Sequence, residues 1–141
     1  MGVRVKTPPL RYKRGYRYQC FEDMVVVTDI LPRRAGGNNF VDITAGGVLT
    51  IRRGYAWDGA SGPAINTENF RTGSMVHDGI YQLIREGIVG MEYRDAGDQL
   101  LRAIVLEKGM WRVRAWWVYH AVRVFGEKWM FARSDDVEVA P

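Results

Sequence analysis

The hydrophobic pattern of this chain changes its period once, and the change divides the sequence in two. Before the run Trp57-Asp58-Gly59-Ala60-Ser61-Gly62-Pro63, aromatic and β-branched residues gather in short stretches at 16–21, 24–28, 40–44 and 48–52. After it, Val76, Ile80, Leu83 and Ile84, then Leu100, Leu101, Ile104 and Val105, recur at spacings of three and four. Short runs rich in such residues suit strands, whereas a period of about 3.6 suits helices with one apolar stripe. The order predicts an α+β fold, with N-terminal antiparallel β-hairpins over residues 15–57 followed by three helices starting near 70, 94 and 111.

Turn residues refine the picture. Glu22-Asp23 is placed to turn a first hairpin between 16–21 and 24–28, and Ala45-Gly46-Gly47 a second between 40–44 and 48–52. The third helix is expected to run to Phe125, with Gly126 as its left-handed stop. Its Trp116, Trp117, Tyr119 and Trp129 lie beside Arg112, Arg114 and Arg123. That composition suits an interfacial helix whose rings rest at headgroup depth, an oligomer interface, or, as large rings at helical spacing more often do, a cover for a core. With 141 residues, the expectation is a single domain over 1–141, its ends frayed at about 1–12 and 134–141.

Composition excludes little but excludes it firmly. At 47% hydrophobic and 26% charged the chain resembles a globular protein, and the apolar run 115–122 is too short to span a bilayer. The N-terminus carries charge without an apolar core, so no signal peptide is expected and a host cytosol or virion is the expected location. Cys20 is the single cysteine and cannot form an internal disulfide. The net charge of +4 permits attraction to phosphate groups on nucleotide or lipid, but neither basic cluster, 4–17 or 108–133, matches a DNA-reading motif, so sequence-specific nucleic-acid binding is not expected.

The chemistry concentrates after the loop. His77 and Tyr81 stand one helical turn apart and share a face, while Asp78 projects about a quarter turn away from His77. This separation allows His77 to face a cleft as general base and Asp78 to face the preceding loop as a metal ligand. There Gly59 and Gly62 let backbone carbonyls approach a hard cation such as calcium, and Asp58 and Ser61 add further oxygen ligands. A base of this kind needs an orienting carboxylate, and Asp98 is the candidate, with Arg94 on the same side of its helix. A buried His held by an Asp from a packed helix is equally a structural pair, and spacing alone leaves both readings open.

Other nucleophiles fit less well. Ser61 lacks the G-x-S-x-G spacing of a nucleophile elbow, Cys20 falls in a strand without a nearby His, and His120 reads as a packed helix residue. Neither a zinc spacing nor a phosphate-binding loop is present.

The stretches Tyr55-Ala-Trp-Asp-Gly-Ala-Ser-Gly-Pro-Ala64, Ser74-Met-Val-His-Asp-Gly-Ile-Tyr-Gln82 and Arg94-Asp-Ala-Gly-Asp98, with the helix 116–126, together resemble domain-of-unknown-function family 1353. The resemblance implies a bacteriophage or prophage source and carries no activity. More distantly, His-Asp-x-x-Tyr on one helix with an Asp on the next is similar to phospholipase A2, including the capsid-borne parvoviral form. That likeness implies that His77 activates water, Asp98 orients it, Tyr81 supports the aspartate, and Asp78 with loop carbonyls holds calcium against an ester carbonyl. The single cysteine and the long β-rich first half depart from the secreted enzymes.

Two functional readings follow. In the first, a phage accessory protein uses a phospholipase-like His/Asp site for calcium-assisted hydrolysis of an ester, with phospholipid or another small anionic ligand as its partner. In the second, a non-enzymatic phage protein serves as a virion or lysis component or captures a host signalling nucleotide.

Overall fold

The computed structural model describes residues 12–13, 18–57 and 68–132. Among the described residues seven short strands precede three α-helices: β1 Tyr12–Lys13, β2 Tyr18–Cys20, β3 Met24–Val27, β4 Gly36–Gly37, β5 Val41–Ile43, β6 Val48–Ile51 and β7 Ala56–Trp57, then α1 Glu68–Arg85, α2 Arg94–Glu107, preceded by a 3-10 turn at Met91–Tyr93, and α3 Arg112–Ala132. All pairings are antiparallel, in one sheet ordered β1-β2-β7 and another ordered β3-β6-β5-β4. The α+β arrangement expected from the change of period is the one observed.

The hairpin of Ala45-Gly46-Gly47 forms as the sequence indicates, β5 pairing with β6 and Gly47 taking a φ of 86°. The first hairpin does not. β2 and β3 both pair with the segment that follows β5, Tyr18 opposite Trp57 and Met24 opposite Ile51, so the two pairs lie six residues apart on both arms. Between them, Cys20 exchanges backbone bonds with Tyr55 and Gly54, and Asp23 accepts from the Arg53 amide at 2.8 Å. Glu22-Asp23 therefore marks a corner in one long ladder. A polar pair between two β-rich runs gives the same local signal for a corner as for a turn, and only the non-local partner decides.

Strand alternation supplies the core. Met24, Val26, Val41, Ile43, Leu49 and Ile51 point inward, and α1 lies across them with Gly79 close enough that an added β-carbon would stand 3.3 Å from Ile51 Cδ1. On its other side α1 meets α2, so the stretch 70–84 is buried almost throughout, including Thr72, Ser74, His77 and Gln82. A helix buried this far must satisfy most of its polar groups within the protein, as Ser74 does by donating to the Arg71 carbonyl and accepting from Trp57, and His77 and Tyr81 do by bonding Asp98. A second apolar cluster, Phe70, Leu101, Val105, Ala115, Val118 and Val122, joins the three helices.

Glycines end the first two helices in the same way. At Gly87 and Gly109, φ is 73° and 95°, their amides bond Ile84 and Leu106, and the next amides bond Leu83 and Val105. Gly126 was the expected stop of α3, but the helix continues to Ala132. Its glycine answers to packing, because a β-carbon there would lie 2.6 Å from the Tyr81 hydroxyl.

The tryptophan-bearing helix corrects a further expectation. Trp116 and Trp117 do not cover a core, since they are about half exposed, and Ala115, Val118 and Val122 face inward in their place. His120 is exposed as well, its ring against Trp116 with centroids 4.2 Å apart. Trp129 lies outside the described side chains, as do the residues expected to fray at the ends of the chain apart from the backbone of Tyr12. No helix among the described residues is long and apolar enough to cross a membrane.

Candidate functional site

Close approach of α1 and α2 creates the site. Gly97 permits it, its missing β-carbon leaving room for Ile80 Cγ2 at 3.0 Å, and the next residue, Asp98, is thereby pressed into the turn of α1 that carries His77 and Tyr81. Asp98 is fully buried. A bare carboxylate at that depth would be costly, and three donors compensate it. His77 Nε2 and the Tyr81 hydroxyl both reach Oδ1 at 2.6 Å, and Arg123 Nη1 from α3 reaches Oδ2 at 2.9 Å.

The electrostatics follow from this geometry. Burial is the largest single influence on Asp98 and pushes its carboxyl upward, but the bonds and charge from His77, then Tyr81 and Arg123, together hold it below the ordinary carboxylate range. Burial first, and the Asp98 charge second, push the Tyr81 phenol far up, so it is a fixed donor. An ionised carboxylate can only accept, so chemistry assigns the imidazole proton to Nε2. With the single proton of a neutral imidazole so placed, Nδ1 would carry the lone pair, the tautomer a general base requires.

Arg94 forms the outer layer. Its Nε donates to the Tyr81 hydroxyl at 3.2 Å, and its Nη2 donates to the carbonyls of Val122 and Arg123 at 3.1 and 2.8 Å. The first turn of α2 is thus tied to α1 and α3 at once. Gly126 completes the enclosure by admitting Tyr81 against the backbone of α3. The His77 and Tyr81 rings lie 4.0 Å apart, and the imidazole keeps 9% of its side-chain surface open.

The structure brings together His77, Asp98, Tyr81 and Arg94, all named from the sequence. Asp78 is half-buried on α1, and Asp58, Gly59 and Ser61 lie outside the described residues. The loop nevertheless leaves from a fixed point: Trp57 is buried and its Nε1 donates to Ser74 Oγ at 3.1 Å, while Ser74 and Asp78 are one turn apart on the same face of α1. Among the described residues no group of three His, Cys, Asp or Glu side chains could hold a metal ion.

Sequence reasoning missed Arg123 and Gly126. Arg123 was grouped with the arginines flanking the tryptophans, although its place next to the inward Val122 carried the signal. Gly126 resembled a helix stop because a glycine that permits contact and one that permits positive φ are the same letter.

Comparison with known proteins adds a family and no activity. No curated protein and no solved structure matches the chain. Residues 38–122, more than half of the sequence, match the model described as "Protein of unknown function (DUF1353)", and the protein belongs to that family.

Proposed function

We propose that this chain is a hydrolase whose His77–Asp98 dyad activates water against a carboxylic ester, in the manner of phospholipase A2. The observation that carries the reading is the 2.6 Å contact between His77 Nε2 and an Asp98 carboxylate that is ionised, fully buried and held by two further donors. In the neutral imidazole that contact puts the proton on Nε2 and leaves the lone pair on Nδ1, which supports a role as general base.

In the proposed reaction His77 Nδ1 takes a proton from water as the water oxygen bonds to the ester carbonyl carbon. Asp98 holds the imidazolium that forms, with Tyr81 and Arg123 keeping the carboxylate in place. The bond from carbonyl carbon to the alcohol oxygen then breaks, and His77 returns the proton to the departing alkoxide. Asp78 and Asp58, with carbonyls of Gly59 and Ser61, would hold calcium, since Trp57 starts that loop on the Ser74 and Asp78 face of α1. Bound there, the ion would supply positive charge for the ester carbonyl oxygen. The reading includes a phage or prophage setting, in the host cytoplasm or the virion, with glycerophospholipid as the substrate to try first.

The test is release of fatty acid from glycerophospholipids, with calcium or with chelator, for wild type and His77→Ala, alongside thermal unfolding of both. Expected is calcium-dependent hydrolysis that falls by about 10²- to 10⁴-fold in the variant. Absence of hydrolysis across lipid classes, with His77→Ala lowering only the melting temperature, would make the dyad a structural pair in a binding protein.

A further inference from the structure

α3 is apolar on two sides, and the fold covers one. Ala115, Val118, Val122 and Gly126 face the other helices, whereas Val113, Trp116, Trp117 and Val124 on the opposite side are exposed by 80, 50, 49 and 70%. Trp111, just before the first turn, is 84% exposed. A helix that is apolar all round ordinarily has partners all round, and among the described residues nothing lies over this outer face.

The chemistry of the face identifies what suits it. Tryptophan, with an apolar body and one N–H, is the side chain favoured where hydrocarbon meets headgroups. Arg112 is exposed at the end of the stripe, and α3, residues 112–132, carries three arginines and Lys128 against a single acid, Glu127. A second copy of the same helix would bring four more cations and one acid to meet them. An anionic surface supplies that missing counter-charge.

We propose that the outer face of α3 seats the protein on an anionic phospholipid surface, with Trp116 and Trp117 at headgroup depth and Arg112 on the phosphates. Docking in this way needs no hydrolysis and holds if the dyad is inert. Should the dyad be catalytic, the helix that touches lipid is also the one whose inner side holds Arg123 against Asp98.

The full-length protein mixed with vesicles of phosphatidylcholine, or of phosphatidylcholine with an equal share of phosphatidylglycerol, provides the test. Sedimentation with the anionic vesicles alone, accompanied by a blue shift of tryptophan emission, is expected. Trp116→Ser combined with Trp117→Ser should lower that partition on the order of tenfold without changing the melting temperature, because both rings are half exposed. Arg112→Glu should weaken it further. Failure to sediment with the anionic vesicles, or binding that the double variant leaves intact, overturns the inference. A wild-type dimer that the double variant converts to monomer, with no vesicle binding, overturns it in favour of self-association. Ester hydrolysis is scored separately on detergent-dispersed substrate, so loss of one reading leaves the other standing.

Discussion

Arg123 and Asp98 join two helices at the one point where the site carries a full negative charge, Nη1 to Oδ2 at 2.9 Å, with Asp95 a second carboxylate 3.7 Å from the same nitrogen. The Asp98 side chain has no exposure and that of Arg123 keeps a third of its own, so the bond runs from the interior to the protein edge. Such a contact orders the helix pair more than it adds net stability, because desolvation of the acid offsets much of the attraction.

Asp98→Asn retains shape while removing the charge and replacing one acceptor with a donor. The expected cost is about 2–4 kcal/mol in urea unfolding, since Arg123 loses its nearer counter-charge and the new amide group must face either Arg123 or both His77 and Tyr81, which share Oδ1. Tyr81→Phe removes one donor from an acid that keeps two, and should cost about 1 kcal/mol. If the two substitutions cost the same, Asp98 is not the centre of the network.

Gly126→Ala places a methyl group against the Tyr81 hydroxyl and should destabilise by about 1–3 kcal/mol. Tyr81→Phe removes the atom in the way, so the double variant should be more stable than the sum of the single effects. Strict additivity in that cycle would show that the glycine serves another purpose.

The acid limb of stability should report Asp98. Its folded carboxyl titrates below its ordinary value of 3.8, so the unfolded state binds the proton first and stability rises with pH across that window. The contribution is complete above the unfolded value and is lost as pH falls through the lower, folded one. Denaturant midpoints collected from neutral to acid pH should fall more steeply below about pH 4 in wild type than in Asp98→Asn. Parallel curves would contradict the assignment.

Cys20 should be inert while the protein is folded. Burial, and secondarily the Asp23 charge, push its thiol up to about 11, and its sulfur rests 3.1 Å from the Met75 sulfur. An aromatic disulfide reagent at mild pH should label it only after denaturant is added, and rapid labelling of the native protein would refute this.

Much of the site was legible because its residues are local. His77, Asp78 and Tyr81 sit on one turn, Arg94 and Asp98 on another, and helical periodicity alone sets which of them share a face. The contribution of α3 was not legible, since whether Arg123 points toward Asp98 depends on how a third helix is rolled, and tryptophans on its outer side give it almost no preferred face to read. The β half divides in the same way. Gly46-Gly47 specifies its hairpin through backbone geometry, whereas Glu22-Asp23 says only that the chain bends, and the partners of β2 and β3 lie more than twenty residues further on.

That long ladder has a consequence for the order in which the molecule loosens. Its arms close first where they are nearest along the chain, at Val27 and Val48, and zip outward to Tyr18 and Trp57, so the last pair to form is also the first to fray. Trp57 stands at that end, bonded to Ser74 on α1. Amide exchange should therefore be faster at Gln19 and Trp57 than at Val26 and Leu49, and each opening would release the Trp57 end while the inner ladder stays shut. The Trp57 end of the ladder would breathe on a clock set by the weakest rung of a sheet, without any unfolding of the helices that hold His77 and Asp98.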